Sequence, residues 1–236
     1  MDPDRWGPYG WKVIHSVSNI PSLTLESYKA WLESMSKILP CRKCRKNFKK
    51  HLSSDKCDGA LTPPELGICL HDEVTKDVKK THTKKYKVSD LPPASIQNIY
   101  DPVFWISVGM NKTVRKTVAL RNWFRETERL LNEAPGSYYD IAADSIRDLQ
   151  KGVYAPILSH TQEAARTRHL TSAIRKMLKM AGVREVPSHG RMVRILSITS
   201  GSHVNASKKR RHTDARNSRS LTRRRSRAAF SRISSE

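Results

Sequence analysis

Residues 38–52 read ILPCRKCRKNFKKHL, with Cys41 and Cys44 one helical turn apart, directly behind Pro40 and among Arg42, Lys43, Arg45, Lys46, Lys49 and Lys50. A proline cannot continue a helix, so Pro40 closes one element and the spacing predicts a second helix opening on Cys41. The first turn of a helix carries unpaired amides and the positive end of the dipole. With basic side chains around it, that position favours a thiolate at Cys41. Cys44 lies one turn deeper on the same face and is expected to point toward the interior. One sulfur reachable from solvent and one facing inward suits relayed electrons. A single C-x-x-C is nevertheless shared by zinc knuckles and redox dithiols, so the surrounding sequence has to decide between them.

On the N-terminal side, GWKVIHSVSNI places Trp11 and His15 at i, i+4 with Ile14 and Val17 beside them, a helix that stops before Pro21. TLESYKAWLESMSKILP follows, with Leu25, Tyr28, Trp31, Leu32, Met35 and Leu39 as one apolar stripe, Thr24 as its cap and Pro40 as its end. On the C-terminal side, Pro63 and Pro64 start PPELGICLHDEVTKDVKK, in which Ile68, His71, Val74, Thr75 and Val78 share a face. Short helices with short connections predict a small bundle. SDLPPAS reads as a boundary, after which IQNIYDPVFWISVGM is expected to form a further helix. TVALRNWFRETERLLNEA, DSIRDLQKGV and ARTRHLTSAIRKMLKMAG, separated by PGS and YAP, predict a second helical module without a recognisable motif.

The fold class expected is therefore all-α: a bundle of four or five helices over residues 1–90, a helical module over 91–186 and a basic, disordered tail over 187–236. A chain of 236 residues can bury a core without staples, so its four cysteines, all within the first 69 residues, call for a chemical explanation. Of the net charge of +22, residues 201–236 supply nine: eleven Lys or Arg against Asp214 and Glu236. Arg- and Ser-rich sequence of this kind cannot bury enough apolar surface to order itself. Its clusters KKRRH and RRRSR suit phosphate contact without base reading, or nuclear targeting. MDPDRWGPYG lacks a basic leader and an apolar run, and no stretch approaches a membrane span, so the expectation is a soluble protein that is not Sec-secreted.

Three separated motifs resemble one family, the Erv/ALR-type FAD-linked sulfhydryl oxidases. WGPYGWKVIHSV resembles the opening W-G-P-x-x-W-x-x-L-H element, LPCRKCRKNFKKHL the P-C-x-x-C-x-x-H-F element, and CLHDEVTKDVKK the H-N-x-V-N-x-x-L-x-K element, in the family's order. The match runs from about residue 5 to residue 87. It implies a helical bundle holding FAD, with Cys41 as the sulfur attacked by substrate and Cys44 as the sulfur next to the flavin. It further implies cofactor contacts from Gly7, Trp11, His15, His71, Asp72, Val74, Thr75 and Lys80. The implied reaction makes disulfides in thiol-containing protein substrates with molecular oxygen as acceptor and hydrogen peroxide as product, in a homodimer.

Four positions depart from the pattern: Asp72 and Thr75 stand for the two asparagines, Val78 for the leucine, and Asn47 for the histidine after the C-x-x-C. Asp72 cannot donate as an amide does, and its charge is unfavourable beside a diphosphate unless Lys76 or Lys80 screens it. Cys57 and Cys69 either pair with each other, with a relay as one role for the pair, or stay free. The competing reading is a basic nucleic-acid-binding protein in which Cys41, Cys44, Cys57 and Cys69 bind zinc, with His51 and His71 able to replace two of them. Cytosolic thiols are normally kept reduced, so an oxidase without an export signal needs a special setting. Members of the family with this layout occur in large DNA viruses, which points to a host nucleus, cytoplasm or virion ahead of a mitochondrial intermembrane space.

Overall fold

The computed structural model describes residues 1–77, 86–110, 117–159 and 163–197. Among them are ten α-helices, two short 3-10 turns and no strand, so the all-α expectation holds. Lys80, Val78 and the basic segment 201–236 lie outside the described residues.

Helix α1 (Pro3–Ser18) starts where Asp2 accepts a hydrogen bond from the Asp4 amide at 3.0 Å, with Pro3 at its first position. It buries Trp6, Gly10, Val13, Ile14 and Val17. Thr24 caps α2 (Leu25–Ser36) by accepting from the Ser27 amide at 3.1 Å. The helix stops at Ser36, ahead of Pro40, and Ile38 and Leu39 continue the buried stripe without helical backbone. Helix α3 (Arg42–Leu52) and α4 (Pro63–Asp77) follow, with the 3-10 turn Asp55–Cys57 between them. The Tyr28 hydroxyl donates to the Ile14 carbonyl at 3.0 Å, fixing α2 on α1.

The segment after SDLPPAS splits at Asp101-Pro102 into α5 (Ile96–Ile99) and α6 (Pro102–Gly109). Asp101 caps α6 and also accepts from Lys12 Nζ of α1 at 3.1 Å, so one buried side chain ties α6 to α1. Every residue of α6 from Val103 to Gly109 is buried, as expected of a helix apolar on all sides. It touches α1 closely: a Cβ on Gly10 would meet the rings of Phe104 and Trp6 at 3.3 Å.

Helices α7 (Thr117–Glu133), α8 (Ser137–Ser159), α9 (Glu163–Met180) and α10 (His189–Ser197) complete the described chain. Trp31 Nε1 donates to Thr127 Oγ1 at 3.0 Å, joining α2 to α7. Gly109 lets α6 approach α9, because a Cβ there would stand 2.8 Å from Ile174. Residues 1–196 form one compact unit. Two expectations change. Helix α8 runs through YAP, where the sequence predicted a break, because a helix already several turns long loses one backbone bond at Pro156 without unwinding. Helix α10 lies within the stretch read as tail, and the helical spacing of Met192, Ile195 and Leu196, with Met192 fully buried, accounts for it.

Candidate active site

The site begins with the first residue of the C-x-x-C. Cys41 is the N-cap of α3 in extended backbone, and its Sγ accepts a hydrogen bond from the Cys44 amide at 3.2 Å. The sulfurs of Cys41 and Cys44 are joined as a disulfide, with Cα atoms 5.1 Å apart and both residues half-buried. Arg45 turns back to donate to the Leu39 carbonyl, holding the chain on the other side of Pro40. Phe48, one turn beyond Cys44, is buried and meets the Trp11 ring with centroids 6.0 Å apart. That contact links the helix of the disulfide to α1.

On α1, Trp11 and His15 share a face, with Gly7 one turn before Trp11. His71 of α4 stacks on Trp11, centroids 4.1 Å apart and planes 12° from parallel. Tyr86 stacks on the same imidazole at 5.1 Å. His15 Nε2 and His71 Nδ1 lie 3.0 Å apart, so one ring donates and the other accepts. Burial lowers the pKa of His15 to about 4, which keeps this ring neutral at ordinary pH. Its second nitrogen, Nδ1, is buried without a hydrogen-bond partner among the described residues. Gly67 lies opposite, where an added Cβ would come within 3.4 Å of that nitrogen.

Helix α4 is held by a face separate from the one that carries His71. Cys69, Glu73 and Asp77 recur at i, i+4 and i+8. Cys69 forms a disulfide with the buried Cys57, and Glu73 accepts from Lys56 at 3.0 Å. Asp77 accepts from His51 Nε2 at 2.8 Å and Lys50 Nζ at 3.4 Å, which holds its carboxyl below the usual range. Leu66 and Leu70 face the core, while Val74 and Thr75 follow His71 by three and four residues on its own side.

Of the residues expected at a cofactor, Trp11, His15 and His71 are thus in direct contact. Val74 and Thr75 extend the His71 face, Asp72 sits beside it and one turn before Lys76, and Gly7 contributes an open position with no atom within 4 Å of a Cβ. Phe48 and Tyr86 were not foreseen. Phe48 had a signal, its i, i+4 relation to Cys44; Tyr86 reaches His71 from beyond the helix and had none. The zinc reading finds no support: all four cysteines are disulfide-bonded, and among the described residues no three His, Cys, Asp or Glu side chains gather as a metal would require.

No family model and no solved structure matches the chain. Over 58 residues, 22% of this chain and 41% of the relative, it is 38% identical to an Acanthamoeba polyphaga mimivirus protein named "Probable FAD-linked sulfhydryl oxidase". This chain resembles a viral FAD-linked sulfhydryl oxidase. The match spans less than half of that relative's length. Among the described residues, no helix is long and apolar enough to cross a membrane.

Proposed function

We propose that the protein is an FAD-dependent thiol oxidase that makes disulfides in protein substrates. The observation carrying this reading is the placement of the Cys41–Cys44 disulfide on a helix whose Phe48 touches the Trp11–His71 stack. Flat rings at 4.1 Å, a buried imidazole nitrogen with no partner among the described residues and an open position at Gly7 suit a large planar heterocycle bearing polar edges. Gly7, Trp11, His15, His71, Asp72, Val74 and Thr75 would hold it, with Lys80 of the sequence motif as a phosphate partner. Neutral His15 would orient His71 through their shared hydrogen bond.

The exchange step balances on the chain's own sulfurs. A substrate thiolate attacks Cys41 Sγ, the Cys41–Cys44 bond breaks, and Cys44 leaves as a thiolate while Cys41 carries a mixed disulfide. The second substrate thiol, deprotonated, attacks that mixed disulfide and departs as a disulfide, leaving two electrons on Cys41 and Cys44. The Cys44 amide, 3.2 Å from Cys41 Sγ, stabilises the thiolate that Cys41 becomes at that point. FAD, when bound, supplies the two-electron chemistry that returns this pair, with two protons, to molecular oxygen as hydrogen peroxide. A homodimer and a viral setting in a host nucleus, cytoplasm or virion belong to the same proposal, as does non-specific nucleic-acid contact through the tail.

The test is the visible spectrum of the purified full chain. Flavin bands that bleach with dithiothreitol under nitrogen and return with air are expected. A colourless protein that neither takes up FAD nor consumes oxygen with dithiothreitol would overturn the reading.

A further inference from the structure

Helix α3 breaks a local rule where it meets the disulfide. Its first turn contains no acidic residue, and Arg42 and Lys43 sit there against the positive end of the helix dipole. Arg42, Lys43, Lys46 and Lys49 are all exposed, and Lys46 stands three or four residues from each of the others. Like charges at those spacings destabilise a helix. The acids nearby are engaged elsewhere: Asp77 with His51 and Lys50 at the far end of α3, and Glu73 with Lys56 and Lys76. No Asp or Glu occurs between Glu33 and Asp55, so neither the approach to α3 nor the helix itself supplies a counter-charge. Concentrated like charge that, at Arg42 and Lys43, also opposes the dipole of its own helix is the kind of local conflict found at functional surfaces, although Lys49 in the last turn suits that dipole.

We infer that Arg42, Lys43, Lys46 and Lys49 form a docking surface for an acidic stretch beside the reactive cysteine of the substrate protein. This inference rests on the thiol-oxidase reading and adds the selection of the substrate to it. Complementary charge raises the encounter rate and orients the partner. Here it would bring a thiolate to half-buried Cys41, at the end of the helix that bears the charge. The surface adjoins a disulfide, which can be used by a thiol and not by a nucleic acid, so a protein partner is the occupant favoured.

The test uses the full-length protein, tail included, and three synthetic dithiol peptides with acidic, neutral or basic flanks. Under nitrogen, the second-order rate constant for reduction of Cys41–Cys44 is followed by quenching, alkylation and mass spectrometry, a readout independent of flavin and oxygen. At low ionic strength the acidic peptide is expected to react about tenfold or more faster than the neutral one, and the advantage should collapse at high salt. In the double variant Lys46→Glu, Lys49→Glu the acidic-to-neutral ratio, taken within that protein, should fall toward one. A wild-type ratio near one, or one insensitive to salt, overturns the proposal. A ratio kept both by the double variant and by Arg42→Glu, Lys43→Glu places the preference outside this surface and overturns it equally. Equal peptide rates together with oligonucleotide binding lost in the double variant would make the surface a nucleic-acid contact instead. Oxygen uptake with dithiothreitol, measured separately, reports on the oxidase reading, so either idea can fail alone.

Discussion

Two groups of stacked rings among the described residues differ in a way that bears on where the proposed chemistry would sit. Trp105 meets Trp123 at 4.4 Å and Phe124 at 6.0 Å, and all three are 0–1% exposed. Trp11, His71 and Tyr86 make contacts of similar length, yet each is only half-buried, and the cluster includes an imidazole pair. The first cluster joins α6 to α7 with its rings fully buried. In the second, ring area is left open, and Phe48 of the helix that follows Cys41 touches Trp11. Aromatic packing alone thus does not distinguish the two; accessible ring area next to groups that can move protons or electrons does, which is why the proposed chemistry is assigned to the second.

The strongest way to break this comparison is at the sulfur. Cys44→Ala is expected to lower dithiothreitol-driven oxygen uptake by roughly a thousandfold or more while shifting the melting temperature by only a few degrees. A large loss of thermal stability with activity retained would make Cys41–Cys44 a staple and remove the chemistry from that half of the molecule.

Next comes the closed cluster. Trp123→Ala should cost about 3–5 kcal/mol in urea unfolding, because a fully buried indole leaves a cavity. Trp11→Ala should cost clearly less, since its ring is half-exposed, and should abolish retention of FAD instead. Equal stability losses at the two positions would erase the distinction drawn between the clusters.

Much of this was legible in the sequence, and the parts that were not have a common cause. Thr24, Pro63 and the i, i+4 pair Trp11–His15 announce their helices because caps, prolines and periodicity act within a few residues. The C-x-x-C, with its basic neighbours, pointed on the same local grounds to a helix opening at Cys41. The Cys57–Cys69 pairing was left open because twelve residues of separation permit it without requiring it. Tyr86 stacks on His71 only through the path of the chain after α4. The Asp101 cap with its Lys12 partner, 89 residues away in sequence, is likewise a tertiary fact. Pro156 misled because a proline late in a long helix interrupts less than it does in a short one.

A third comparison is sharpened by pH. His15 is lowered to about 4 by burial from an ordinary value of 6.5, so the unfolded chain binds a proton there at a higher pH than the folded protein does. The stability associated with neutral His15 is fully present above pH 6.5 and is lost as pH falls through that value toward 4, on the order of 3 kcal/mol in all. Urea midpoints at pH 7 and pH 4.5 should therefore diverge in the wild type and diverge less in His15→Gln. The variant comparison is needed because Asp77, held low first by the hydrogen bond from His51, and Glu73, held low first by that from Lys76, also lose stabilisation on acidification. An unchanged difference in His15→Gln would place the acid sensitivity in those carboxylates rather than in the ring cluster.

The smallest effect concerns Asp72, a charge that opposes the proposed cofactor. Asp72 adjoins His71 where the family pattern has asparagine, and a carboxylate near a diphosphate is repelled unless Lys76, one turn on, offsets it. Because the residue is only partly buried, the penalty is modest, and Asp72→Asn should tighten FAD binding about three- to tenfold in a fluorescence titration, or roughly 0.7–1.4 kcal/mol. Salt separates the two physical causes. A gain that shrinks from low to high ionic strength is the removed charge, whereas a gain that persists is the amide's added donor. Weaker binding in the variant would mean that Asp72 is useful as an anion, positioning Lys76 toward the phosphates, and that the departure from the pattern is a compensated pair rather than a cost.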